Sequence, residues 1–227
     1  MTRVHVICEG QTEEMFIKEF LYEPFQTLGV VLTPALIGKP GHKGGNFRIE
    51  RLLSDVKNRL FGDPTSFCTT FFDFYGLPKE FPGKTDAGTV ETPQEKADIV
   101  CQAMVESLTG SLGEGAMRRF VPYIQMYEFE ALLFSDPDGL ARGVDCPRLS
   151  DTFRKIRESF ESPEWINDNA WTAPSKRISN KVKEYQKPIY GSLAAMEIGL
   201  PTMRRECHRF DAWLSHLEGL AEEGEMI

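Results

Sequence analysis

Short apolar runs alternate with amphipathic segments along the first 140 residues of the chain. Four runs, rich in β-branched or aromatic residues, predict buried strands at 4–8, 30–37, 67–72 and 120–126. Apolar residues at helical spacing predict helices that follow them, at 12–21, 49–60, 93–108 and 128–134. Strands that alternate with helices are typical of a parallel sheet covered by helices. The pattern therefore predicts an α/β fold with a central, mainly parallel sheet.

The last third of the chain has a different pattern, which is helical and rich in basic residues. It predicts helices at 146–160, 175–185 and 202–217. Neither an internal repeat nor a low-complexity linker divides the chain, and 227 residues suit one domain. We therefore expect a single domain over 1–227, in which 1–140 form the sheet core and 141–227 a helical, basic part of the same domain.

Three predicted strands end at an acidic residue: Glu9, Asp73 and Glu128. Because the carboxyl ends of parallel strands meet at one edge of a sheet, these side chains are expected to converge where such folds bind ligands. Converging carboxylates need charge compensation, and Mg²⁺ or Mn²⁺ would supply it. Such an ion could activate water and stabilise charge on a phosphoryl group. Alternatively, each acid merely caps the helix that follows it.

Two further acids could join such a metal site. Glu13 lies four positions after Glu9 and could share its face, or it could be a solvated acid of a first helical turn. Glu130 should point away from Glu128 by helical geometry, so we expect Glu128 to face the ion and Glu130 to be the secondary candidate.

Basic residues suggest where a phosphate group could bind. In Pro174-Ser175-Lys176-Arg177, Ser175 is placed as an N-cap, and two cations fall in a first turn that disfavours positive charge unless a phosphate is bound. Lys43, in a glycine-rich loop, could also reach a phosphate, or it could belong to an ordinary surface loop. The basic C-terminal part is either a surface for a nucleic-acid backbone or a solvated helix face balanced by acids.

Composition and charge narrow the classes of function. A net charge of −8 argues against indiscriminate coating of nucleic acid, so any contact with it should be local. The five scattered cysteines form no C-x-x-C pair and are expected to be reduced thiols. The sequence has neither an apolar run of about 20 residues nor a signal peptide, so we expect a cytoplasmic protein without a membrane segment. It also lacks the Walker A and G-x-S-x-G motifs, which disfavours an NTPase and a serine hydrolase.

The opening segment Val6-Ile7-Cys8-Glu9-Gly10-Gln11-Thr12-Glu13 resembles the strand-Glu-Gly start of Toprim domains. These are the metal-binding catalytic modules of topoisomerases, DnaG-type primases and OLD-family nucleases. Further segments together resemble the Toprim-related domain-of-unknown-function family 4276, over nearly the whole chain; they lie at 72–78, 127–134, 174–177 and 205–213. The resemblance implies a Rossmann-like Toprim fold.

The resemblance also implies Mg²⁺ at the acidic edge and nuclease chemistry, often beside an ABC- or AAA-type ATPase in bacterial anti-phage systems. By position, Glu9 matches the Toprim glutamate, which is thought to act in acid/base catalysis or metal binding. Asp73 matches the first acid of the Toprim D-x-D motif, but Tyr75 stands where that motif has its second acid. A second metal ion would therefore need Glu128 or Glu130 in its place.

Two hypotheses from different classes follow. In the first, the protein is an Mg²⁺-dependent nuclease for DNA or RNA, in which Glu9, Asp73 and Glu128 hold the ion and Lys176 and Arg177 contact a phosphate. In the second, it is a non-catalytic sensor or adaptor subunit that docks on the ATPase. Aromatic side chains of the C-terminal helices would also suit an interface between copies of the chain.

Overall fold

Five parallel strands form the centre of the part of the chain that the computed structural model describes, which is residues 1–38, 48–167 and 172–223. They are β1 (Thr2–Cys8), β2 (Val30–Leu36), β3 (Phe67–Asp73), β4 (Phe120–Val121) and β5 (Ile124–Gln125). Strand β1 lies between β2 and β3, and the two short strands β4 and β5 both pair with β3. The predicted α/β class with a mainly parallel sheet is confirmed.

The register of the sheet brings the strand ends to one edge. Cys8, the last residue of β1, is paired with Leu36 on one side and Phe71 on the other. Asp73, the last residue of β3, is paired with Gln125 at the end of β5. Since all these pairings are parallel, the segments that leave the strands start from the same side of the sheet.

Helices cover both faces of the sheet. In chain order the helices of the described residues are α1 (Gln11–Phe16), α2 (Tyr22–Thr27), α3 (Ile49–Gly62), α4 (Pro93–Leu112), α5 (Glu114–Met117), α6 (Glu130–Leu133), α7 (Pro137–Gly143), α8 (Ser150–Glu158), α9 (Pro174–Ser179), α10 (Lys187–Ile198), α11 (Leu200–Glu206) and α12 (His208–Glu223). A π-helical segment, Ile17–Leu21, joins α1 to α2. Among these helices, none has both the length and the apolar character needed to cross a bilayer.

Strand side chains alternate between two hydrophobic cores, as expected for a sheet buried on both faces. Val6 and Phe71 belong to the core that includes residues of α1, α7, α10 and α12. Ile7 and Phe72, their chain neighbours, belong to the core that includes residues of α3 and α4. All five cysteines are free thiols, as expected, and four of them are buried.

The C-terminal helices complete the first of these cores. The Trp213 ring of α12 stacks on Tyr123, with 4.5 Å between ring centroids and 16° between ring planes. Its indole Nε1 donates to Thr69 Oγ1 of β3 at 2.9 Å. Residues after 140 thus share a hydrophobic core with the sheet.

Several predicted elements differ from the observed ones for identifiable reasons. The predicted strand 120–126 is divided at Pro122, which has no N–H to donate to a neighbouring strand. Next to this gap, the Thr70 side chain takes the place of backbone hydrogen bonds between the strands. Its Oγ1 accepts from Tyr123 N at 2.9 Å and donates to Tyr123 O at 2.8 Å. The predicted helix 202–217 is interrupted at Cys207, and the predicted helix 175–185 ends at Ser179.

Replacement of Trp213 by Ala tests whether the chain unfolds as one unit. Because the ring fills a core shared by α12 and the sheet, we expect the free energy of unfolding to fall by about 3–5 kcal/mol, in a single transition. Urea unfolding followed by circular dichroism measures both quantities. Phe61→Ala is the control: Phe61 is 58% exposed, so its loss should change the free energy by no more than about 0.5 kcal/mol. Two separate transitions would contradict the single domain.

Candidate functional site

A hydrogen bond joins Glu9, which follows β1, to Asp73, the last residue of β3. The backbone N–H of Asp73 donates to Glu9 Oε2 at 3.2 Å. Glu128 lies three residues beyond β5. Burial raises the pKa of Glu9, and the negative charge of Glu128 raises it further. The structure therefore brings Glu9, Asp73 and Glu128 to one edge of the sheet.

Gly76 is part of the wall around Glu9. It ends a 3₁₀ turn, Phe74–Gly76, that follows Asp73 directly. A Cβ atom added to Gly76 would lie 2.0 Å from Glu9 Oε1 and 2.2 Å from Glu9 Oε2, far inside van der Waals contact. The turn can pass this close to the Glu9 carboxylate only because residue 76 has no side chain.

Glu13 is buried rather than solvated. Its Oε2 accepts a hydrogen bond from the Gly10 backbone N–H at 2.8 Å, which satisfies a free donor at the start of α1. Burial, and to a lesser degree the neighbouring Glu9, raise its pKa to about 7. The interpretation of Glu13 as a solvated first-turn acid is therefore wrong, and the residue lies beside Glu9 as an internal carboxyl group.

Glu128 and Glu130 both face the same lysine. Lys187 Nζ lies 4.0 Å from Glu128 Oε1 and 3.1 Å from Glu130 Oε1. The expectation that helical geometry would separate the two acids is wrong, because α6 begins only at Glu130 and Glu128 precedes it. Glu130 is 1% exposed, and this burial raises its pKa to about 7.

Two of the acids, Asp73 and Glu128, accept hydrogen bonds from backbone N–H groups at the starts of helices that are distant from them in sequence. Asp73 Oδ1 accepts from the backbone N–H of Phe129, just before α6, at 2.8 Å. Glu128 Oε2 accepts from the backbone N–H of Ser175, in the first turn of α9, at 2.8 Å. The alternative in which each acid caps the helix that follows it does not describe these two acids, whose hydrogen bonds join segments that are distant in sequence.

The predicted phosphate site at α9 is occupied in part by the protein itself. Ser175 is not the N-cap, since α9 begins at Pro174, and its N–H is bound to Glu128. Arg177 Nε donates to Thr172 O at 2.6 Å, and its guanidinium lies 5.1 Å from the centroid of the Phe160 ring. Lys176 is exposed. Lys43 lies outside the described residues.

Lys187, a cation of the basic C-terminal part that no sequence pattern connects with the acids, is central to the site. Burial opposes its charged form, but the nearby Glu130 and Glu128 raise its pKa overall. It is the first residue of α10, a helix that was not predicted. The available signal was Lys187-Pro188, since Pro is favoured in the first turn of a helix.

A second lysine, Lys84, lies on the Glu9 side. Its Nζ donates to the Phe74 carbonyl oxygen and lies 3.1 Å from the centroid of the Phe74 ring. Burial lowers the pKa of Lys84 to about 7, and Glu9 acts in the opposite direction. One amino group thus lies beside Glu128 and Glu130, and a second lies at the turn that lines Glu9.

Ion pairs account for much of the predicted basic surface. Arg209 Nη1 lies 2.7 Å from Asp98 of α4, and Arg204 pairs with Asp211 and Glu218 of α12. These contacts favour the interpretation in which the basic residues are balanced by acids elsewhere.

The type of ligand in the cluster suits a hard divalent cation, because all five side chains are carboxylates: Glu9, Glu13, Asp73, Glu128 and Glu130. Mg²⁺ and Mn²⁺ prefer such oxygen ligands. Glu130 Oε1 is buried without a hydrogen bond from the described residues, although Lys187 Nζ is near it, outside hydrogen-bond geometry. An acceptor in this state favours a cation. In the present arrangement, no three Asp, Glu, His or Cys side chains of residues 1–38, 48–167 and 172–223 are grouped closely enough to hold one, so side chains would have to rotate.

The fold and the site define an α/β protein with a cluster of buried carboxylates at the carboxyl edge of a parallel sheet. The chain belongs to the family described as domain of unknown function (DUF4276), whose family model matches residues 8–218. This range includes all the carboxylates of the site, and the predicted family is confirmed. Searches of curated proteins and of solved structures returned no match.

The pH dependence of stability provides a test of the buried acids. Because the pKa of Glu130 is about 7 in the folded protein and near 4.5 when unfolded, the folded state holds a proton that the unfolded state has released at pH 5–7. Ionised Glu130 therefore lowers stability as pH rises through this window, by up to about 3 kcal/mol at pH 8. We expect Glu130→Gln to raise the free energy of unfolding at pH 8 by about 1–3 kcal/mol, and to leave it nearly unchanged at pH 4.5.

Urea unfolding at pH 4.5, 6 and 8 measures this difference between wild type and variant. Glu197→Gln is the matched control, since Glu197 lies on α10 in an exposed pair with Arg142. A Glu130→Gln difference that is the same at all three pH values would contradict the shifted pKa.

Proposed function

We propose that this protein is a nuclease that uses Mg²⁺ or Mn²⁺ to hydrolyse phosphodiester bonds of DNA or RNA. The observation that supports this most is the convergence of five carboxylates at the carboxyl edge of the sheet, two of them with a pKa of about 7. Such an accumulation is costly to stability, and perturbed acids of this kind are concentrated at functional sites. A relationship to Toprim domains, as the resemblance implies, is part of the proposal.

Each side chain has a role that follows from its position. Glu9, Asp73 and Glu128 would hold the ion, which when bound activates water and neutralises charge on the phosphate. Glu13 and Glu130 can take up or release a proton near neutral pH because of their raised pKa. Their burial also keeps water from screening the charges within the site.

Basic side chains around the acids would position the negative substrate. Lys176 is exposed in the first turn of α9, next to the N–H that binds Glu128. Lys187, beside Glu128 and Glu130, offsets part of the negative charge of the cluster, and Lys84 adds to this when it is protonated. This positive charge is local, as the net charge of −8 requires.

The cellular setting that we propose is a bacterial anti-phage system in the cytoplasm, with an ABC- or AAA-type ATPase as partner. The five free thiols suit a reducing compartment. An exposed apolar stripe on α10, formed by Ile189, Leu193 and Met196, suits a protein contact. The same stripe favours the second candidate function, that of a non-catalytic adaptor docked on the ATPase.

Replacement of Glu9 by Gln tests the nuclease. Since the change removes the negative charge and keeps the shape, we expect metal-dependent cleavage to fall by at least about 100-fold with the fold intact. Cleavage of plasmid DNA, single-stranded DNA and tRNA is measured with Mg²⁺, Mn²⁺ or EDTA, with and without the ATPase. Glu23→Gln, an exposed acid of α2, is the control. No cleavage by wild type under any of these conditions would refute the nuclease and favour the adaptor.

Replacement of Gly76 by Ala tests the same site without removing a carboxylate. Because the new Cβ would lie 2.0 Å from Glu9 Oε1, the Glu9 side chain must move, and we expect cleavage to fall at least about 10-fold. Gly88→Ala is the control, since a Cβ there would meet no other atom within 4 Å. Unchanged cleavage by Gly76→Ala would show that the position of Glu9 is not critical.

A further inference from the structure

One segment of the C-terminal part, residues 175–187, is attached to the acidic site at both of its ends. At the first end, the backbone N–H of Ser175 donates to Glu128 Oε2 at 2.8 Å. At the other end, Lys187 Nζ donates to Glu130 Oε2 at 3.2 Å. This stretch, the lysine segment, therefore leaves the acidic cluster and returns to it.

Apolar side chains hold the middle of the lysine segment against the protein. Ile178 and Val182 are buried in the core that includes residues of β1 and α12. The backbone N–H of Val182 donates to Ile178 O at 3.0 Å, so the turn that follows α9 is hydrogen-bonded. Side chains that point outward from this segment start from a fixed backbone, which reduces the entropy lost when they bind a partner.

Positive charge predominates in the lysine segment, although the chain as a whole is acidic. Its one acid is Glu184, and its five cations are Lys176, Arg177, Lys181, Lys183 and Lys187. Arg177 donates to the Thr172 carbonyl oxygen, and Lys187 pairs with the acids of the site. The other three cations are exposed, and none of them makes an ion pair within residues 1–38, 48–167 and 172–223. These three lysines are therefore available to an external anion.

The spacing of the three lysines favours a partner with several negative charges. They lie within eight residues of the chain, and a single small anion would neutralise only part of their charge. A nucleic acid carries one negative charge about every 3.4 Å along each strand, so it can pair with all three. An ammonium group binds a phosphate as a point charge, without the planar geometry that a guanidinium imposes.

We propose that Lys176, Lys181 and Lys183 form a surface that binds the phosphate backbone of nucleic acid beside the carboxylates. The inference rests on the proposed function, since the surface would hold the substrate of that site. Contacts with phosphates position a nucleic acid but do not read its bases. The substrate class that follows is a nucleic acid bound without regard to base sequence.

The salt dependence of binding tests this surface. Fluorescence anisotropy follows the full chain in EDTA with labelled DNA of about 12 nucleotides, as a single strand and as a duplex, between about 50 and 200 mM KCl. Each lost phosphate contact reduces the slope of log affinity against log salt by about 0.7 for a single strand and about 0.9 for a duplex. The triple variant Lys176→Gln, Lys181→Gln, Lys183→Gln should therefore reduce the slope by about 2 to 3, and weaken binding at low salt at least about 10-fold.

A second triple variant, Lys18→Gln, Lys57→Gln, Arg118→Gln, is the matched control. It changes the net charge by the same amount at exposed cations of other elements: the π-helical segment, α3 and the residue after α5. We expect it to keep the slope and the affinity of wild type. Thermal unfolding of both triple variants confirms that binding is compared between folded proteins.

The outcomes separate this surface from the proposed function. Equal slopes for the lysine variant and wild type would overturn the surface even if the protein cleaves nucleic acid, and so would equal losses in both triple variants or no binding by wild type. Competition by polyglutamate as strong as that by unlabelled DNA would point to an acidic protein instead. Binding that the lysine variant loses, without cleavage by wild type in any metal, would uphold the surface and refute the nuclease.

Discussion

The candidate site depends on one physical constraint, the compensation of carboxylate charge away from water. Backbone N–H groups compensate four of the acids. Gly10 donates to Glu13 within the start of α1, and three bonds join segments that are distant in sequence: Asp73 donates to Glu9, Phe129 to Asp73 and Ser175 to Glu128. Each such bond favours the ionised acceptor. These bonds link α1, β1, β3, α6 and α9, so the same interactions that offset the charge also fix the geometry of the edge. Capping and site formation, which the sequence leaves as alternatives, are one arrangement in the structure.

The caps do not exclude a cation. A carboxylate has two oxygens with about four lone-pair positions, and each cap uses one of them. Ion binding would therefore require side-chain rotation about the capped oxygen rather than the loss of each cap. Glu130 is different, because its partner is the ammonium group of Lys187 and not a backbone N–H. It is also the acid whose second oxygen lacks a hydrogen bond from the described residues, so it is the least completely compensated member of the cluster.

The sequence predicted those parts of the molecule that depend on local patterns. Apolar runs that stop at Glu9 and Asp73 were sufficient to place two acids at one sheet edge, because strand direction and register follow from the alternation of strands and helices. Lys187 and Glu130 could not be paired in this way. Their contact requires α10 to pack beside the acidic edge, and no local pattern specifies contacts between residues 57 positions apart. Nothing in the sequence distinguished Gly76 from the other glycines, because its role depends on the close approach of the Glu9 side chain in the folded protein.

Tyr75 stands where the D-x-D motif of the Toprim domains that the opening segment resembles has its second acid, and the charge of the cluster disfavours a carboxylate at this position. Burial and repulsion from neighbouring acids already raise the pKa of Asp73 well above its usual value. Another carboxylate at position 75 would add charge to a group of acids that is only partly compensated, and it would favour a second cation. Lys187 instead contributes fixed positive charge beside Glu130 and Glu128. On the proposed function, this argues for chemistry with one metal ion, in which a lysine supplies part of the charge that a second ion would bring.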